Sequence, residues 1–82
     1  MSIIRDVSGN MRAQIENNLC RDVFGNRVLD FRGDYIYDTY GNYIGEFRGN
    51  QVYDSSGNRV GEFRNGGNRF YDTYGNLKFT VE

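Results

Sequence analysis

The sequence predicts an all-β protein in which five tandem β-hairpin repeats of about 16 residues form a closed pinwheel ring with pseudo-five-fold symmetry. Three observations lead there. The string Asp-x-x-Gly-Asn occurs five times, beginning at Asp6, Asp22, Asp38, Asp54 and Asp72, at spacings of 16, 16, 16 and 18 residues. Two columns keep their apolar character in all five copies: Ile4, Cys20, Ile36, Val52 and Phe70 stand two residues before the Asp, and Ile15, Phe31, Phe47, Phe63 and Val81 stand nine after it. The 82 residues also include 11 Gly and 10 Asn but no Pro, His or Trp, a composition weighted toward turns.

The elements follow in chain order as one domain, with hairpins over residues 3–18, 19–34, 35–50, 51–68 and 69–82. In each, the Asp opens a type I turn because its carboxylate can accept a backbone N–H two residues on. The Gly supplies the positive φ that closes the turn with a bulge. The tips are thus Asp6 to Gly9, Asp22 to Gly25, Asp38 to Gly41, Asp54 to Gly57 and Asp72 to Gly75. In the first hairpin, residues 11–20 hold good helix formers and compete as a helix. The turn strings on both sides put them in frame with copies rich in β-branched and aromatic residues, so a strand is expected. If Asp faces Asn across the tip, Cys20 pairs with Val28, Ile36 with Ile44 and Val52 with Val60, while Tyr37 meets Tyr43 and Tyr53 meets Arg59 on the other face. Asn17-Asn18, Gly33-Asp34, Gly49-Asn50 and the longer run Asn65 to Asn68 join successive hairpins, the last explaining the 18-residue interval.

Both faces of these hairpins carry apolar residues, which suggests hairpins stacked face against face, as an open stack or a ring. At the ends, Arg12 and Lys78 replace the Val28, Ile44 and Val60 of the middle copies, as caps would. Ile15 and Val81 nevertheless keep the second column intact at both ends, as a shared axis requires, and a closed ring is expected.

Composition removes much chemistry. Without His there is no Ser-His or Cys-His nucleophile pair and no imidazole ligand. The single Cys20 can form neither an internal disulfide nor a thiolate cage, and it stands in the apolar column as a small hydrophobe. Leu, Ile, Val and Phe make up 20 of 82 residues, enough for only a thin core. Ten basic and eleven acidic side chains leave a net charge of -1, with no field for nucleic acid and no polybasic membrane anchor. The start, Met1 to Asp6, meets a carboxylate before any apolar run, unlike a signal peptide or transmembrane segment. A cytoplasmic location is the default expectation, or a secreted one if a leader has been removed.

The repeated Tyr-Asp-x-x-Gly-Asn-x-Ile-Gly pattern, clearest over Tyr37 to Gly45, resembles the bacterial five-fold beta-flower proteins across residues 3–82. That resemblance implies hairpins set radially about a pseudo-five-fold axis, and it implies no activity. Tyr71 to Leu77 is also similar to the YD repeats of large bacterial shell-forming toxins, whose repeats are longer. Arg5 and Arg21 depart from the pattern at the Tyr position, and Ala13, Leu29 and Phe79 depart where Gly45 and Gly61 sit.

Each candidate site has a structural counterpart. Arg32-Gly33-Asp34 spells an adhesion tripeptide but occupies the turn that is Arg48-Gly49-Asn50 one repeat later. The five tip Asp residues could gather calcium, yet the alternate acidic ligands and distal Glu of an EF-hand loop are missing, which favours tip capping. Arg32, Arg48 and Arg64 form a column beside Asp30, Glu46 and Glu62 that reads as a solvated charge ladder. Tyr37, Tyr53 and Tyr71 share a column and are expected to pack between hairpins. Tyr40, Tyr43 and Tyr74, beside Asp and Asn, form the candidate binding surface. The expected function is a non-catalytic structural, assembly or protein-binding module, as a homo-oligomer or with a protein partner, without cofactor, metal, nucleic acid or membrane. Glycan binding through Tyr, Asp and Asn is the alternative.

Overall fold

The computed structural model describes residues 1–82. It contains ten strands and no helix: β1 (Ser2–Asp6), β2 (Met11–Glu16), β3 (Leu19–Asp22), β4 (Arg27–Arg32), β5 (Tyr35–Tyr37), β6 (Tyr43–Arg48), β7 (Gln51–Asp54), β8 (Arg59–Arg64), β9 (Arg69–Asp72) and β10 (Leu77–Val81). Residues 11–20 are therefore strand, as the repeat frame requires. Each strand pairs antiparallel with its chain neighbours, and β10 returns to pair with β1, so the sheet is a closed barrel. At that seam Ile4 opposes Val81 and Arg5 opposes Thr80. Ile3 and Glu82 exchange backbone hydrogen bonds of 2.9 and 2.8 Å, and Arg5 Nε donates to Glu82 Oε2 at 2.8 Å.

The turns use the residues their geometry demands. At every tip the Gly N–H donates to the Asp carbonyl, at 3.0 to 3.2 Å, and the Asp N–H donates to the Asn carbonyl, at 2.9 to 3.0 Å. Gly41, at φ 85°, occupies a conformation that costs a side-chain-bearing residue about 1–2 kcal/mol. Between hairpins, Asn17 and Asn18 both have positive φ, whereas at Gly33-Asp34 and Gly49-Asn50 only the Gly does. These are the two patterns that suit the right-handed twist of two-residue hairpin loops.

Two details differ from the sequence expectation. The hairpins meet edge to edge through backbone ladders, not face against face. β6 and β7, from different hairpins, share four opposed residue pairs, and β8 and β9 share four. Edge joining leaves no strand edge unpaired and gives the sheet one inner and one outer face, so a single apolar interior suffices. The register also shifts within each hairpin. Tyr37 opposes Tyr43 and Tyr53 opposes Arg59, as expected, but Ile36 opposes Gly45, Val52 opposes Gly61 and Cys20 opposes Leu29. Val28, Ile44 and Val60 are extra residues in a β-bulge and stay 39%, 38% and 41% exposed instead of pairing inward.

The inward side chains form three layers. Nearest the inter-hairpin turns lie Ile15, Phe31, Phe47, Phe63 and Val81; next come Ile4, Cys20, Ile36, Val52 and Phe70; nearest the tips lie Ala13, Leu29, Gly45, Gly61 and Phe79. Both apolar columns of the sequence thus face the axis. The ring is a disc of 30 × 29 × 17 Å.

Candidate functional site

Three surfaces could bind a partner: the rim of hairpin tips, the outer wall, and the interior. At the rim, the order of each tip comes from its Asp. Oδ1 accepts the backbone N–H groups two and four residues on, Ser8 and Asn10 for Asp6, Tyr40 and Asn42 for Asp38, Tyr74 and Asn76 for Asp72, all at 2.9 to 3.0 Å. Asp22 and Asp54 do the same with Phe24 and Asn26, and with Ser56 and Asn58. The second oxygen is also engaged in three tips: by Arg12 Nε on Asp6 at 2.8 Å, by Asn42 Nδ2 on Asp38 at 3.2 Å, and by Lys78 Nζ on Asp72 at 3.6 Å.

These contacts hold the carboxyls of Asp6, Asp38 and Asp72 below their ordinary value of 3.8. The N–H of Asn10, Asn42 or Asn76 is the largest cause, and desolvation opposes it. One oxygen of every tip carboxylate is taken up by its own hairpin, and no three acidic or thiol groups come close enough together to hold a metal ion.

A rigid tip displays the side chains that lie beyond its Asp. Two residues on, the chain places Ser8, Phe24, Tyr40, Ser56 and Tyr74, and the three aromatics are 84%, 88% and 88% exposed. Tyr40 and Tyr74 therefore belong to the rim together. Tyr43 does not: it lies on the outer wall, 38% exposed, with its ring edge-on to Tyr35 at 5.9 Å and to Tyr37 at 6.1 Å. Desolvation and the neighbouring Glu46 push its phenol pKa up. Sequence reasoning does not single out Phe24, although its place in the Tyr40 and Tyr74 column marks it.

On the wall, Tyr37, Tyr53 and Tyr71 each pack against the preceding hairpin. Arg32, Arg48 and Arg64 lie over their rings at 4.6, 4.3 and 4.4 Å. The same guanidiniums pair with Asp30, Glu46 and Glu62 at 3.1, 2.8 and 2.9 Å. The Arg column is thus a set of inter-hairpin clamps, with each charge neutralised locally. Arg32 is held in such a clamp, and Gly33-Asp34 forms the two-residue turn between β4 and β5.

The interior is incompletely filled. A cavity of about 230 Å³, partly open to solvent, is lined by twelve hydrophobic residues: all ten of the two layers nearer the inter-hairpin turns, plus Leu29 and Phe79. Phe31, Phe47 and Phe63 succeed one another around its wall at 6.0 and 6.2 Å. Phe70 stacks on Phe79 at 4.8 Å with the planes 14° apart. Cys20, 3% exposed, contributes its thiol to the lining, and burial pushes its pKa up, away from a reactive thiolate. Comparison with family models, with curated proteins and with solved structures finds no match for this chain.

Proposed function

We propose that the protein is a non-catalytic assembly module that docks through its rim of hairpin tips, in the first place onto a second copy of itself. The observation that carries this reading is the exposure of Phe24, Tyr40 and Tyr74 at one equivalent position of three tips. Aromatic side chains dominate binding energy at protein interfaces, and a tip already ordered by its own hydrogen bonds loses little freedom on docking. A net charge of -1 sets up little long-range repulsion between copies. The resemblance to the beta-flower proteins, which implies no activity, is part of the same reading. Strands of three to six residues fall well short of the roughly 9–11 that a membrane-spanning strand needs.

Glycan binding is the weaker reading because its hydrogen-bonding groups are occupied where its aromatics stand. Beside Tyr40, both oxygens of Asp38 are engaged, the second by the Asn42 amide. Beside Tyr74, Asp72 is engaged by two backbone N–H groups and by Lys78. A lectin needs such groups free for sugar hydroxyls.

The test replaces Phe24, Tyr40 and Tyr74 together by Ser, the residue that Ser8 and Ser56 already show to be compatible with this turn. The expected result is a concentration-dependent oligomer of the native chain in sedimentation, and a monomer of the triple variant with an unchanged circular dichroism spectrum. A native chain that stays a 9.5 kDa monomer and binds an arrayed glycan overturns the proposal in favour of the second reading. A triple variant that still associates overturns the assignment to the tips.

A further inference from the structure

We propose that the barrel interior is a binding site for one compact, uncharged, apolar molecule about the size of an alkyl-substituted benzene. The site is the cavity of about 230 Å³, and its boundary is entirely hydrophobic, formed by residues such as Cys20, Ile36, Phe47, Val52, Phe63 and Phe70.

The chemistry of the lining selects the ligand. The wall offers no polar partner, so water in contact with it gives up hydrogen bonds and is readily displaced. A charged or strongly hydrogen-bonding molecule would lose its hydration without compensation. An apolar molecule loses nothing of that kind and gains dispersion contacts with the lining side chains. Size follows from volume. An apolar cavity of about 150 Å³ accepts benzene, so one about half as large again has room for a ring bearing a short alkyl chain. Phe70 stacks on Phe79, but Phe31, Phe47, Phe63 and Phe79 meet at tilted or edge-on angles, which leaves ring faces and edges to contact a flat or branched guest.

The cavity is a consequence of the architecture. About eight strands make a barrel just wide enough for side chains to fill or for one small ligand, and this barrel has ten. Its inner layers include residues as small as Cys20 and Val52. In a protein with so thin a core, a guest that covers this apolar lining removes from water a surface that the chain alone leaves partly uncovered.

Ten of the twelve lining residues stand in the two layers toward the inter-hairpin turns, and Phe24, Tyr40 and Tyr74 take no part in the lining, so the site is distinct from the proposed docking surface. The experiment titrates the full chain with benzene, ethylbenzene, propylbenzene and butylbenzene. Thermal unfolding and the NMR signals of the inward methyl groups of Ile4, Ile36 and Val52 are followed.

Saturable methyl shifts are expected, with an optimum at an intermediate chain length. At a hundredfold excess over Kd the midpoint should rise by roughly 10 °C or more. Val52→Phe, which puts in this layer the residue that already stands there as Phe70, should abolish the shifts. Should that variant fail to fold, Phe47→Leu enlarges the cavity and should move the optimum to a longer chain. Absence of any methyl shift across the series overturns the proposal. So does binding unchanged in the variant tested, or methyl shifts that follow protein concentration without added ligand, which would mean that a side chain of a second copy fills the space.

Discussion

Gly45 has no room for a side chain: a Cβ there would stand 2.5 Å from the carbonyl oxygen of Tyr53 on the neighbouring strand. At Gly61 the obstruction is the ring of Phe70 together with the carbonyl of Tyr71. The same inward position holds Ala13, Leu29 and Phe79 in the other hairpins, so the layer nearest the tips is filled by large and small residues around the ring. These were legible in the sequence only as departures from the repeat, because a single chain does not show which side chain from a neighbouring hairpin occupies the space over a glycine. Gly45→Ala should therefore destabilise by about 1–3 kcal/mol, because the clash is with backbone and relief requires strand movement. Urea unfolding measures this. A variant as stable as the native chain would show that β6 and β7 are not so closely apposed.

At the scale of the hairpin, the tips were fully legible. Asp, Gly and Asn each have a local conformational job that no tertiary context overrides, and the structure places all five tips where the string occurs. The register beyond the tip was not legible. Ile44 is more hydrophobic than Gly45 and looks like the natural partner of Ile36, yet the bulge turns Ile44 outward and Gly45 inward. Alternation identifies a strand's inner face only where no extra residue interrupts it.

The tips also carry a pH dependence. Asp6, Asp38 and Asp72 have folded-state pKa values below the ordinary 3.8, so their contribution to stability is present above that value and is lost as pH falls through the lower folded value. The urea midpoint of the native chain should accordingly fall between about pH 5 and about pH 2. Asp38→Asn retains one acceptor without the titrating charge. It should be less stable than the native chain at neutral pH and lose less on acidification. An equal loss in both proteins would place the pH dependence elsewhere.

For the whole molecule, closure governs both candidate sites. Five hairpins joined edge to edge turn one face of a continuous sheet toward the axis, which leaves the interior apolar and partly unfilled. The tips then stand around one rim, with Phe24, Tyr40 and Tyr74 exposed. The ring itself was legible from Ile15 and Val81, which keep the axial column at both chain ends. That the hairpins share ladders was not, because backbone pairing between repeats leaves no mark in residue type. The cavity was hidden for a related reason: apolar columns report which residues face the axis, not how far apart closure holds them.

Closure is the claim on which the rest stands, and the β1–β10 seam tests it most directly. Nuclear Overhauser contacts and amide exchange at that seam should show Arg5 beside Thr80 and Ile4 beside Val81, with the amides of Ile3 and Glu82 protected as mutual hydrogen-bond donors. Absence of these contacts, with both amides exchanging as fast as free chain ends while the other nine strand pairs remain intact, would contradict the closed barrel and leave an open sheet.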